Sequence, residues 1–201
     1  MTRRRRFLLI AAAIVVVLLI PVAIIVLPIL THQNAGLPGS QAVTATTATA
    51  TGDDGRTRTI EVEGAALDAL VPGDRLTVTG AGYDGSRGIY VAICAIPDAA
   101  TIKPGPCIGG VPEQSSEPVD AGAIQYAPSN WINDDWAWKL FGARSYDSVD
   151  DGTFTAYLEV GDPVAEGLDC TVVACAVYTR NDHTALNDRV QDLYVPVHFS
   201  S

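Results

Sequence analysis

Outside its N-terminal thirty residues, no stretch of this chain sustains a helical period. What recurs instead is a set of short β-rich runs punctuated by Gly, Pro and Asp: "RTIEVEG", "DRLTVTGAGYDG", "GIYVAICAIPD", "TFTAYLEVGDP", "CTVVACAVYTRND" and "DLYVPVHF". Several alternate with period two, as in Leu76 and Val78 against Thr77 and Thr79, or Val195, Val197 and Phe199 against Tyr194, Pro196 and His198. That texture, spread over residues 57–201, has the size of one ordinary domain and predicts an all-β fold, an immunoglobulin-like antiparallel β-sandwich of about seven strands. A different small β-barrel is the competing architecture.

The N-terminus sets the compartment. Arg3, Arg4, Arg5 and Arg6 precede an uncharged apolar run from Phe7 to Leu30. As a helix rising ~1.5 Å per residue the run reaches ~36 Å, enough to cross a ~30 Å hydrocarbon core. It is longer than the apolar region of a cleaved secretory signal and lacks a clean small-x-small cleavage site, so a retained transmembrane anchor is expected. By the positive-inside rule residues 1–6 form a cytoplasmic tail, 7–30 the single plasma-membrane span, and everything beyond is extracellular. Residues 31–56 are rich in Thr, Ala and Gly and free of large apolar residues after Leu37. Such a composition reads as a flexible stalk.

In an oxidising compartment the four cysteines are expected as disulfides, and three pairings are open. Pairing of neighbours would close two local loops, contributing roughly 3 and roughly 2 kcal/mol by the chain-entropy estimate. A zinc site is a poor alternative, since the spacings are not C-x2-C and only His183 and His198 remain in the domain to add.

The runs "DRLTVTGAGYDGSRGIYVAICAI", "PGPCIGG", "DDGTFTAYLEV", "DCTVVACAVYTRND" and "VPVHF" resemble the neocarzinostatin family of secreted actinobacterial proteins, from about Leu70 to the C-terminus. The resemblance implies a seven-stranded immunoglobulin-like sandwich with two local disulfides, Cys94 to Cys107 and Cys170 to Cys175, beside an apolar ligand cleft. The best-known members of that family hold an enediyne chromophore non-covalently. This chain departs from them in its anchor, in the short "GDPVAEGLD" before Cys170, and in an aromatic insertion over 124–146. A ligand cleft is therefore implied more strongly than the carrier role.

The insertion gathers Tyr126, Trp131, Trp136, Trp138, Phe141 and Tyr146, including all three tryptophans of the chain. Large aromatics dominate both cores and binding sites, so the loop reads either as the wall of a pocket or as a flap burying its own rings. "NDD", Asn133 to Asp135, lacks the alternating oxygen pattern of a calcium loop. A second dense stretch, "YTRNDHTALNDRVQDLYVPVHF", is similar to the endings of actinobacterial surface proteins that accompany haem-uptake modules. There His183 is a candidate haem or metal ligand, near Asp182 and Asp188, with Tyr90 and Tyr178 as phenolate candidates. The structural reading of the same stretch pairs Arg180 and Arg189 with aspartates to pin a hairpin.

A nucleophile elbow, an H-E-x-x-H helix and a phosphate loop are all absent from the sequence, and no catalytic residues or metal site are assigned. Setting aside the four N-terminal arginines leaves 9 basic against 23 acidic residues, a net charge near −14, which repels nucleic acid and anionic headgroups. Two functions remain. One is an anchored module binding a small hydrophobic molecule or haem, with Trp131, Trp136, Trp138, Tyr126, Phe141, Tyr90 and His183 as candidate ligand contacts. The other is a cell-envelope adhesion module with no small-molecule site and the same aromatics in its core.

Overall fold

The computed structural model describes residues 10, 13–20, 23, 26–27, 30–32, 34–109, 124–165 and 167–200. Its strands are β1 (Ala42–Val43), β2 (Thr47–Thr51), β3 (Thr57–Glu63), β4 (Arg75–Ala81), β5 (Ile89–Ala95), β6 (Ser129–Ile132), β7 (Phe154–Glu159), β8 (Val164–Ala165), β9 (Leu168–Asp169), β10 (Cys175–Asn181) and β11 (Leu193–Val197). A one-turn helix, α1 (Trp136–Lys139), follows β6, and a 3-10 turn at His183–Ala185 follows β10. Two antiparallel sheets result, one in the order β1-β2-β3-β4-β7 and one in the order β11-β10-β5-β6, with β8 and β9 as a separate ribbon.

The period-two pattern does what it predicts. Along β4, Leu76 and Val78 are buried and Arg75 and Thr79 exposed, and β7 buries Phe154, Ala156 and Leu158 on the same side. From the other sheet Ile89, Val91, Ile93, Val177, Leu193, Val195 and Val197 enter the same hydrophobic cluster. Gly80 is required where β4 meets β7, because a Cβ there would stand 2.1 Å from the Phe154 ring. β5 is different: Ile89 to Cys94 are buried without alternation. Its outer face is covered, by a second cluster of Ala92, Cys94, Cys107, Ala176 and Tyr178. Both disulfides are local, Cys94 with Cys107 and Cys170 with Cys175, as the family resemblance implies.

The stalk expectation is corrected. Residues 42–43 and 47–51 are in the sheet, and β2 pairs with β3 over its whole length, Thr47 with Glu61 through to Thr51 with Thr57. Ala48 and Ala50 face the core and are fully or nearly fully buried, while Thr49 and Thr51 bond Thr59 and Thr57 across the outer face. Small side chains supply little apolar area each, but a strand beside β3 needs only small residues to fill the gap. The preceding residues are also pinned: Leu37 N donates to Asp53, Asp53 N to Leu37 O, and Ala35 N to the buried Asp188.

Residues 13–20 are helical, but among the described residues no helix is long and apolar enough to cross a membrane. Residues 1–6 and much of the expected span 7–30 lie outside the described residues.

If 42–51 is structural rather than a tether, its paired amides exchange with solvent as slowly as those of β3. Hydrogen exchange over Thr47–Thr51 at the rate of an unstructured peptide would contradict this.

Candidate functional site

Asp182 organises one end of the four-stranded sheet. It follows β10 directly and caps the 3-10 turn, where Oδ1 accepts from Thr184 N at 2.9 Å and Thr184 Oγ1 at 2.6 Å. Oδ2 accepts from Trp131 Nε1 at 2.9 Å and Asn133 Nδ2 at 3.0 Å. The carboxylate is fully buried, and four donors make that burial tolerable. Gly88 permits the approach, since a Cβ at that position would lie 1.8 Å from Asp182 Oδ2.

This hub fixes an aromatic cluster. Trp131 stands opposite Tyr90 across β6 and β5, with ring centroids 6.0 Å apart. His183 meets Trp131 at 5.2 Å and Trp138 at 4.8 Å, both edge-on, and its Nδ1 pairs with Tyr90 Oη at 2.9 Å. Trp138 also meets Trp131 at 5.6 Å and Phe141 at 6.2 Å. Five of the seven aromatic and histidine residues singled out from the sequence are thus brought together. The other two are not. Tyr126 stacks edge-on with Tyr157 at 5.5 Å and lies under the Arg75 guanidinium at 4.8 Å, while Trp136 points away from the cluster and is 67% exposed. A chain cannot show which rings of one loop fall on opposite sides of a strand edge.

The cluster packs ring on ring, which suits anchoring better than haem ligation. Burial, followed by the charge of Asp182, pushes the Tyr90 phenol up to about 12, and burial also raises Tyr178, so neither offers a phenolate readily. Among the described residues no group of three His, Cys, Asp or Glu is placed to hold a metal ion.

A cavity lies instead toward the opposite edge of the same sheet face. It has a volume of about 300 Å³ and is floored by Tyr178 and Tyr194, cross-strand partners stacked at 5.0 Å. Ile96, Ile102 and Pro104 wall it from the segment that Cys94–Cys107 closes, and Gln41 walls it from the N-terminal side. Gln41 acts as a surrogate strand residue: its Nε2 donates to Asp192 O, and its Oε1 accepts from Tyr194 N, each at 3.1 Å.

Asp192 completes the lining. Its Oδ2 accepts from Arg189 Nη1 at 2.9 Å, whereas its Oδ1 has no hydrogen-bond partner among the described residues. Burial pushes this carboxyl up to about 8, against the pull of Arg189 and Arg180 and with a further push from Asp188. Of the two arginines expected to pair with aspartates, Arg189 does so. Arg180 instead donates to Pro104 O at 2.9 Å and lies over the Tyr90 ring at 5.7 Å.

Sequence reasoning named Tyr178 only as a phenolate and missed Tyr194, Asp192, Gln41 and the isoleucines. The outward parity of Tyr178 and Tyr194 was a usable signal once the two strands were paired. Gln41 carried none, since its place depends on a segment whose composition suggested no fold.

Two outcomes follow. Gly88→Ala forces Asp182 away from its donors and lowers stability by roughly 1–3 kcal/mol in chemical denaturation, the range for overpacking; an unchanged midpoint would contradict the hub. For Asp192 the unfolded value is about 3.9, so between about 4 and the folded value near 8 the native state binds more protons than the unfolded one. That contribution to stability is present below pH 4 and lost as pH rises through 8. Asp192→Asn therefore flattens the pH dependence of the melting temperature over this window, and an unaltered slope would exclude the assignment. Comparison with protein-family models, with curated proteins and with solved structures finds no match, so the chemistry is read from these residues themselves.

Proposed function

We propose that the chain is a membrane-anchored extracytoplasmic module with an immunoglobulin-like sandwich, and that it holds a small ligand non-covalently over Tyr178 and Tyr194. The cavity carries the reading. At about 300 Å³ it is at the lower end of the range for small-molecule sites, and its lining mixes apolar Ile96, Ile102 and Pro104 with polar Gln41, Asp98 and Asp192. Two stacked phenol rings suit a flat apolar body. The ligand class is thus a compact aromatic or alicyclic molecule. Haem fits poorly, because no histidine lines the cavity.

The compartment reading rests on the apolar run Phe7–Leu30 behind four arginines, together with two disulfides and the absence of free thiols among the described residues. The neocarzinostatin resemblance supports the same function, since the cavity adjoins the Cys94–Cys107 loop on the outer sheet face. Fold-level likeness alone is a weak warrant for function, so the geometry bears the weight.

Two-dimensional NMR during titration with small aromatic amines, amides and alcohols tests this. Ligands of the stated class shift Tyr178 and Tyr194 ring resonances, and Tyr194→Ala weakens their binding at least tenfold. Ring resonances that no compound perturbs, or binding indifferent to Tyr194→Ala, would overturn the site.

A further inference from the structure

The aromatic loop has a second face. Trp136 is 67%, Leu140 68% and Phe141 58% exposed, on and just beyond α1. Exposed apolar side chains are common singly, but a tryptophan, a leucine and a phenylalanine within six residues make a patch. Val149 and Leu186 are exposed on neighbouring loops at the same end of the sheets.

That end is also where the chain enters the domain. His32 Nε2 pairs with the buried Asp188 Oδ2 at 3.0 Å, and its Nδ1 with Arg87 Nη1. Arg87 O in turn accepts from Tyr146 Oη at 2.9 Å, and Tyr146 N donates to Asp134 Oδ2 at 2.8 Å, two residues before Trp136. Asn34 Nδ2 donates to Asn187 O, beside Leu186. Only two residue steps separate His32 from Leu30, the last residue of the uncharged run, a reach of at most ~7 Å. An anchor ending at Leu30 therefore leaves no spacer, and this end of the domain faces the bilayer.

We infer that Trp136, Leu140 and Phe141 dock into the interfacial zone of the outer leaflet and hold the domain against the membrane in one orientation. Trp suits the headgroup level, where its ring meets an apolar surface on one side and water on the other. Leu and Phe suit the acyl boundary beneath it. The loop's Lys139 is paired with Asp134 at 2.5 Å, and Asp135 directly precedes Trp136. The docking is therefore apolar, and it favours zwitterionic over anionic headgroups. This inference rests on the reading of Phe7–Leu30 as a membrane anchor.

The test uses the full chain reconstituted into phosphatidylcholine vesicles with acyl chains brominated near the headgroup, and reads tryptophan fluorescence. Bromolipid quenches the wild-type emission, at least half of that quenching disappears in Trp136→Phe, and Leu140→Ser with Phe141→Ser reduces it at least twofold. Adding phosphatidylglycerol weakens it. If the chain resists alkaline carbonate extraction but quenching is absent, or equal in Trp136→Phe and wild type, the docking is wrong and the anchor stands. Release of the chain by carbonate would overturn the anchor and the docking with it.

Discussion

The structure depends on a strand that is dry on both faces. β5 presents Ile89, Val91 and Ile93 to the core between the sheets, and Tyr90, Ala92 and Cys94 to a side that in a simple antiparallel sheet would be wet. Its backbone is paired on both edges as well, by β10 along one and by β6 and then residues 106–108 along the other. A strand of this kind requires covers on its outer side. The chain supplies two, the segment 96–109 stapled by Cys94–Cys107 and the aromatic loop after β6 that Asp182 holds in place. Where the first cover stands off from β10 and β11, the stacked tyrosines are left flooring a cavity.

The same logic explains why the N-terminal segment is ordered. Residues 34–41 run along the domain rather than away from it, exchanging hydrogen bonds with Asp53, Asp188 and Tyr194. Asp188 is fully buried and accepts from His32, Ala35 and Val190, so the arrival of the N-terminal segment satisfies a charge the domain would otherwise leave in want of donors. The cavity and the end of the domain where the chain enters are thus built partly from residues that precede the first full strand.

Much of the sheet was legible in the chain. Leu76 and Val78, or Val195 and Val197, alternate with outward residues, and that alternation alone orients β4 and β11. The pairing of the cysteines was legible only through resemblance, because spacing leaves three choices. β2 was misread although "TATAT" alternates perfectly: alanine and threonine are too small to register as a hydrophobic pattern, and packing beside β3 supplies what their size lacks. The candidate site was half legible. Trp131, Trp138, Phe141, Tyr90 and His183 do converge, yet their purpose in the fold is closure, with Asp182 as the centre no motif announced. The cavity depends on Tyr178 facing Tyr194 and on Gln41 bonding Asp192 and Tyr194, juxtapositions across 16, 151 and 153 positions that a linear reading does not display.

The central claim is that the uncovered part of the outer sheet face holds a small molecule. Native mass spectrometry of the full chain, purified from cells that produce it and compared with the same sample denatured with its disulfides intact, tests it most directly. The account predicts a discrete excess mass in the native spectrum that is lost on denaturation and belongs to a compact aromatic or alicyclic molecule. Equal masses in both spectra, persisting after incubation with a hydrophobic extract of the producing cells, would contradict it.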